Sequence, residues 1–173
     1  FKLMIFISHR GNLEGKGGEN LENHPDYINK ALKEGFDVEI DVWLIDQNKL
    51  FLGHDEPKFE VNESFLRNKH LWCHAKNEPA LELMLNHGLH CFWHQTDKYT
   101  LTSKGFIWCY PGSPALKNSI VLEFNKELLP DYINNLSKEI LAFYYKQKLN
   151  LSKLILDIEN IKVNCDNFLK YTD

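Results

Sequence analysis

Apolar stretches alternate with amphipathic ones along this chain. Residues 3–8 form a continuous apolar run, as expected of a strand covered on both faces. A polar, glycine-rich loop over 12–23 follows, then a helical stretch over 25–34. In that stretch Tyr27, Ile28, Ala31 and Leu32 recur at helical spacing, Pro25 sits near its start and Gly35 closes it. Strands are predicted at 37–44, with an extension at 49–53 reached through a turn at 46–48, then at 70–75, 89–94, 105–109 and 119–123. A helix over 79–87, ended by Gly88, separates two of them, and Pro111-Gly112 stops the strand before it. Beyond Pro130 two readings stand for 131–148. It is one helix with Ile133, Leu136, Ile140 and Tyr144 on one face, or a helix running into a strand at 140–144. A helix at 151–159 and a short strand at 161–165 complete the pattern.

Alternating strands and helices call for an α/β fold with a parallel sheet or barrel. No repeat, low-complexity stretch or linker interrupts residues 1–173, so a single domain is expected. The 173 residues are fewer than the roughly 200–250 usual for an eight-stranded barrel. The expectation is a small, incomplete (β/α)8 TIM-type barrel with trimmed helices, or a missing or distorted strand in its second half.

The polar positions inside these strands carry the chemistry. Val38, Ile40 and Val42 share one face of their strand, while Glu39 and Asp41 share the other. Carboxylates at i and i+2 stand roughly 7 Å apart on one face. Facing inward they repel each other and are poorly solvated unless a cation joins them. The next strand repeats the division, with Leu71, Cys73 and Ala75 on one side and Trp72, His74 and Lys76 on the other. His90, Phe92 and His94 follow on one face of the next, and His94 is assigned equally to site or core. In a (β/α) barrel the carboxyl ends of the strands converge on the active site. His9-Arg10 ends the first strand at that level, and His54-Asp55 closes the extension, with Asp55 suited to orient the imidazole. Two histidines, an arginine, a lysine and a carboxylate pair suit a phosphodiester: one His activates a nucleophile, the other protonates the leaving alkoxide, and cations balance the phosphoryl oxygens.

Composition excludes more than it selects. Net charge is −4 and the pI near 6.1, which argues against nucleic acid or an anionic membrane as partner. No apolar run approaches the roughly 20 residues of a transmembrane helix. The apolar residues 1–7 are too short for a signal-peptide core and read as a first strand. Cys73, Cys91, Cys109 and Cys165 form no CxxC pair and each lies in an apolar, strand-like stretch. Buried free thiols and a cytoplasmic location are expected.

His9-Arg10-Gly11, Glu22-Asn23, Glu39-Ile40-Asp41-Val42 and Gly53-His54-Asp55 resemble, in order and spacing, the glycerophosphodiester phosphodiesterases. Leu71-Trp72-Cys73-His74-Ala75-Lys76 continues the resemblance, aligning with a strand that in the family usually reads Glu-x-Lys. The middle of the chain looks like a compact branch of that family, and the tail resembles it through Asn164-Cys165-Asp166-Asn167. The resemblance implies a metal-dependent phosphodiesterase acting on a small-molecule or lipid-derived phosphodiester. In it His9 and His54 are the acid/base pair, Arg10 and Lys76 bind phosphate, and Glu39 and Asp41 hold Mg²⁺ or Ca²⁺; His94, outside the resemblance, is placed with the substrate-binding residues. Where the family has a third metal-binding Glu this chain has His74, which shifts preference toward Mn²⁺ or Zn²⁺.

A rival reading is a binding module that keeps the pocket of Arg10 and Lys76 for a phosphate ester or sugar phosphate but has lost catalysis with the third carboxylate. The histidine pair favours an enzyme, because binding alone needs no acid/base couple. Trp108 and Tyr110 are expected in the core or pocket wall, Glu123 and Asp166 at strand ends level with the site, and His24, His70 and His87 facing solvent.

Overall fold

The computed structural model describes residues 4–13, 21–46, 48–110, 112–114, 116, 119–122 and 141–145. Within them run β1 (Met4–His9), α1 (Pro25–Lys33), β2 (Asp37–Ile45), β3 (Lys49–Leu52), β4 (Phe59–Val61), α2 (Glu63–Leu66), β5 (Leu71–Ala75), α3 (Glu78–Asn86), β6 (Cys91–Phe92), β7 (Tyr99–Leu101), β8 (Ile107–Cys109), β9 (Ser119–Leu122) and β10 (Leu141–Tyr145). The class is mixed α/β.

Parallel pairings run in the order β6-β5-β2-β1-β10-β9-β8. From β1 the chain adds strands on one side as far as β6, then returns on the other side with β8, β9 and β10, the last lying against β1. Antiparallel β3, β4 and β7 are appended to β2, β3 and β8. Among the described residues no ladder joins β6 to β8, so the ladders do not close into a barrel. The two strands are nonetheless neighbours: the Phe92 ring stacks on Trp108 at 4.4 Å, and Ser103 N donates to Cys91 O at 2.8 Å.

Two apolar layers follow from the two faces of the strands. Val38, Ile40, Val42, Leu71, Cys73 and Ala75 pack against Ile28 and Ala31 of α1 and Ala80 and Met84 of α3. On the other face Ile7, Trp72, Phe92, Trp108 and Ile120 form a second cluster. Cys73, Cys91 and Cys109 are buried free thiols, and Cys165 lies outside the described residues. No helix among the described residues is long and apolar enough to cross a membrane.

Several elements differ from the pattern reading. The expected strand at 89–94 is reduced to Cys91–Phe92, because the chain on either side is bonded elsewhere. Leu89 N donates to Met84 O at the end of α3, while Trp93 O accepts from Thr100 Oγ1 (2.7 Å). The strand expected at 105–109 starts at Ile107, since Gly105 belongs to a turn whose N–H reaches Thr102 O. Of the two readings of 131–148, the strand is observed, at Leu141–Tyr145. The short β4, α2 and β7 were not expected, being too brief to display a period. The helical part of 131–148, the helix at 151–159, the strand at 161–165, Glu123 and Asp166 fall outside the described residues.

Candidate active site

Register places the polar residues together. His9 on β1 is the partner of Glu39 on β2, and Asp41 is the partner of His74 on β5. Partners on parallel strands point to the same face, so all four stand on the inner face, His9 and His74 near the carboxyl ends of β1 and β5 and Glu39 and Asp41 beside them midway along the longer β2. His9 and Glu39 are each 3% exposed and Asp41 is fully buried.

The turn after β1 is shaped for this. Arg10 and Gly11 both adopt positive φ (55° and 77°), and Arg10 N donates to Glu39 O at 2.8 Å. A side chain at Gly11 would meet the backbone of Tyr27 and Ile28 at about 3 Å, so only glycine lets α1 pack here. Asn23 is also left-handed (φ 65°), a conformation asparagine tolerates better than most residues. Its N–H donates to Arg10 O at 3.0 Å. At the end of β3, Gly53 N donates to Asp41 O, and a Cβ there would lie 2.0 Å from Glu56 O. That tight turn brings His54 to the same end of the sheet.

Asp41 is the hub. Its Oδ2 accepts from Asn23 Nδ2 (2.9 Å) and pairs with Arg10 Nε (2.8 Å), and its backbone N donates to Asn23 Oδ1 (2.9 Å). Its Oδ1 lies 3.2 Å from His74 Nδ1 and 3.7 Å from Lys76 Nζ. Burial alone would raise the Asp41 pKa, but the His74 hydrogen bond and the charges of Arg10, His74 and Lys76 hold it well below the usual carboxylate range. Glu39 goes the other way, pushed well up by its own burial and by the Asp41 charge. Two neighbouring carboxylates therefore differ in their hold on a proton.

Arg10 is committed to acids. Its Nη1 donates to Glu22 Oε2 at 2.9 Å while Nε faces Asp41, so two of its three nitrogens are engaged by carboxylates. Burial works to lower its pKa, but Asp41 and Glu39 outweigh that and raise it, keeping it charged. Glu22 also accepts from Asn12 Nδ2 (3.4 Å) and lies 4.0 Å from His9 Nδ1. Lys76 extends from the end of β5, its backbone N bonded to Val42 O.

No protein-family model, curated protein or solved structure matches this chain.

Three side chains are close enough to be candidate ligands of one cation. One ligand atom each from Glu39, Asp41 and His74 lie within 4.8 Å of one another. Neighbouring ligands around one small cation stand roughly 3 Å apart, so these side chains would have to draw closer to share one. His74 Nε2 donates to His94 O at 2.9 Å, the outer anchor that metal-bound imidazoles characteristically have. The His74 ring stacks flat on Phe92, centroids 5.0 Å apart and planes 4° apart, which fixes its orientation.

The remaining expected site residues are more peripheral. The His54 side chain is 43% exposed and paired through Nδ1 with Asp55 Oδ1 at 2.6 Å. His94 contributes its carbonyl to His74, while its ring stacks on Tyr110 at 5.8 Å and its Nε2 reaches Asp97 O. Trp108 is in the inner core, and Tyr110 is exposed. His24 caps α1, and the partly exposed His70 and His87 pair with Asp37 and Glu63. Sequence reasoning assigned no role to Asn23 or Glu22, which hold Asp41 and Arg10; Glu22-Asn23 as a motif was their only signal.

An opening lies at the amino ends of the same strands. It is a cavity of about 400 Å³ bordered by Asp37, Trp72, His90, Phe106, Arg67 and Lys104, among others.

Proposed function

We propose that this chain is a divalent-cation-dependent phosphodiesterase acting on small or lipid-derived phosphodiesters, on an incomplete (β/α)8 barrel in the cytoplasm. The observation that carries the reading is the convergence of Glu39, Asp41 and His74 with His9 and Lys76 on one face of adjacent parallel strands. The run of seven parallel-paired strands, with β10 returning against β1, supports the barrel, and three buried free thiols support a reducing compartment.

Glu39, Asp41 and His74 would hold the cation, which supplies positive charge to a non-bridging phosphate oxygen. Lys76 reaches the same level and would balance a second oxygen. Arg10, the expected phosphate binder, also aligns the acids through its pairs with Asp41 and Glu22. Buried His9, with Glu22 4.0 Å from its Nδ1, suits the base that takes a proton from the attacking hydroxyl. His54, at the open rim and oriented by Asp55, suits the acid that protonates the leaving alkoxide.

The test is hydrolysis of bis(p-nitrophenyl) phosphate and glycerophosphocholine, with and without added divalent cations or EDTA. Wild type should turn over in a cation-dependent way, and His9→Ala or His54→Ala should lower kcat by about 10²–10⁴ with the fold intact. Full activity in both variants would sink the acid/base assignment. Binding of a phosphate ester without turnover in any cation would favour the binding module.

A further inference from the structure

We propose that the Glu39–Asp41–His74 site selects a borderline transition cation, of the class of Zn²⁺, Co²⁺ and Mn²⁺, over Mg²⁺ and Ca²⁺. The inference rests on the cation reading above but not on any particular reaction.

The tautomer of His74 is set by its partner. A backbone carbonyl can only accept, so the Nε2 bonded to His94 O carries a hydrogen. The other nitrogen, Nδ1, then faces Asp41 Oδ1 at 3.2 Å and Glu39 Oε1 at 3.8 Å. An imidazole lone pair and two carboxylate oxygens repel one another, so a proton or a cation must lie between them. Stacking on Phe92 keeps the ring from turning away.

The oxygen ligands suit a hard cation poorly. Ca²⁺ prefers six to eight oxygens with bidentate carboxylates, and Mg²⁺ a near-ideal oxygen octahedron. Asp41 offers Oδ1 more readily than Oδ2, which accepts from Asn23 Nδ2 at 2.9 Å and lies 2.8 Å from Arg10 Nε. Lys76 Nζ, 3.7 Å from that same Oδ1, further reduces the negative charge a hard cation needs. A nitrogen donor beside an Asp41 whose second oxygen is engaged favours Zn²⁺, Co²⁺ and Mn²⁺, with Mn²⁺ the weakest of the three.

Chelator-treated protein would be titrated with each cation in competition with a chromophoric chelator, alongside thermal unfolding and the visible absorption of the Co²⁺ form. Wild type should bind one Zn²⁺ or Co²⁺ at least about 100-fold tighter than Mg²⁺ or Ca²⁺. His74→Glu, which supplies a third carboxylate, should narrow that ratio by about tenfold or more and alter the Co²⁺ spectrum. His74→Gln, a neutral oxygen donor, serves as a second variant should the glutamate disturb folding. Exposed histidines that pick up Zn²⁺ are common to all three proteins, so the difference between them reports this site.

Equal affinity of wild type for hard and borderline cations, an unchanged ratio in both variants, or no cation bound at all would each overturn the proposal. Selective binding without phosphodiester turnover would leave it standing and remove the hydrolase reading alone. Turnover with an unselective site would do the reverse.

Discussion

Trp72 and His74 leave β5 toward the same inner face, two residues apart, and enter opposite environments. At the amino end Trp72 donates Nε1 to Asp37 Oδ2 at 2.8 Å and packs against His90 (4.3 Å) and Phe106 (5.0 Å), beside the 400 Å³ cavity. At the carboxyl end His74 stands among two acids, a lysine and, through Asp41, an arginine. The histidines differ accordingly. His90 bonds the neutral Thr102 hydroxyl and is pushed down to about 4 by its burial and by Lys104. His74 faces carboxylates instead. Strand parity decides the face, but the level along the strand decides which loops a side chain meets, and the loops decide its chemistry.

The largest expected effect that would test this contrast is Asp41→Ala beside Asp37→Ala. Removing Asp41 leaves Arg10 Nε, Lys76 and Asn23 without their shared acceptor and only Glu22 bonded to Arg10, a loss of about 3 kcal/mol or more. Asp37→Ala removes the bond from Trp72 and a pairing with half-exposed His70, and should cost only about 1–2 kcal/mol. Urea unfolding of both variants measures the difference, and equal losses would refute the asymmetry between the two ends.

A smaller effect, of opposite sign, is expected at Glu39. A carboxyl whose folded pKa is raised keeps its proton in the fold while the unfolded chain releases it above about 4.3, so stability falls as pH rises from there. Glu39→Gln should therefore stabilise the cation-free protein at pH 7–8, with the gain shrinking as pH approaches 4.3. It should also abolish most of the rise in Tm that a bound cation produces. Thermal unfolding across pH, with and without Zn²⁺, reads both; a destabilised cation-free variant at pH 8 would contradict the raised Glu39.

The smallest effect belongs to the amino end. His90 has a lowered folded pKa, so its contribution to stability is complete above about 6.5 and is lost as pH falls toward about 4. His90→Gln should flatten the stability profile across that window while leaving the Co²⁺ spectrum of the other end unchanged. A profile as steep as wild type would mean that His90 does not titrate as its surroundings imply.

Much of this is legible in the sequence. The period-two alternation in Val38–Val42 and Leu71–Lys76 assigns Glu39, Asp41, Trp72 and His74 to one face, because alternation is a property of the local backbone. Pro25 and Gly35 bracket α1 for equally local reasons. Tertiary structure alone decided what those residues meet. The turn of Arg10 onto Asp41 and Glu22, the Asn23 clamp 18 residues from its partner, and the His94 carbonyl 20 residues from His74 depend on register and loop path. The strand at Leu141–Tyr145 likewise owes its form to β1 and β9 on either side, where its own residues admitted helix as readily. Local periodicity set which face each side chain takes, and only long-range pairing set its neighbours, since no residue's own φ and ψ encode a contact with a distant segment.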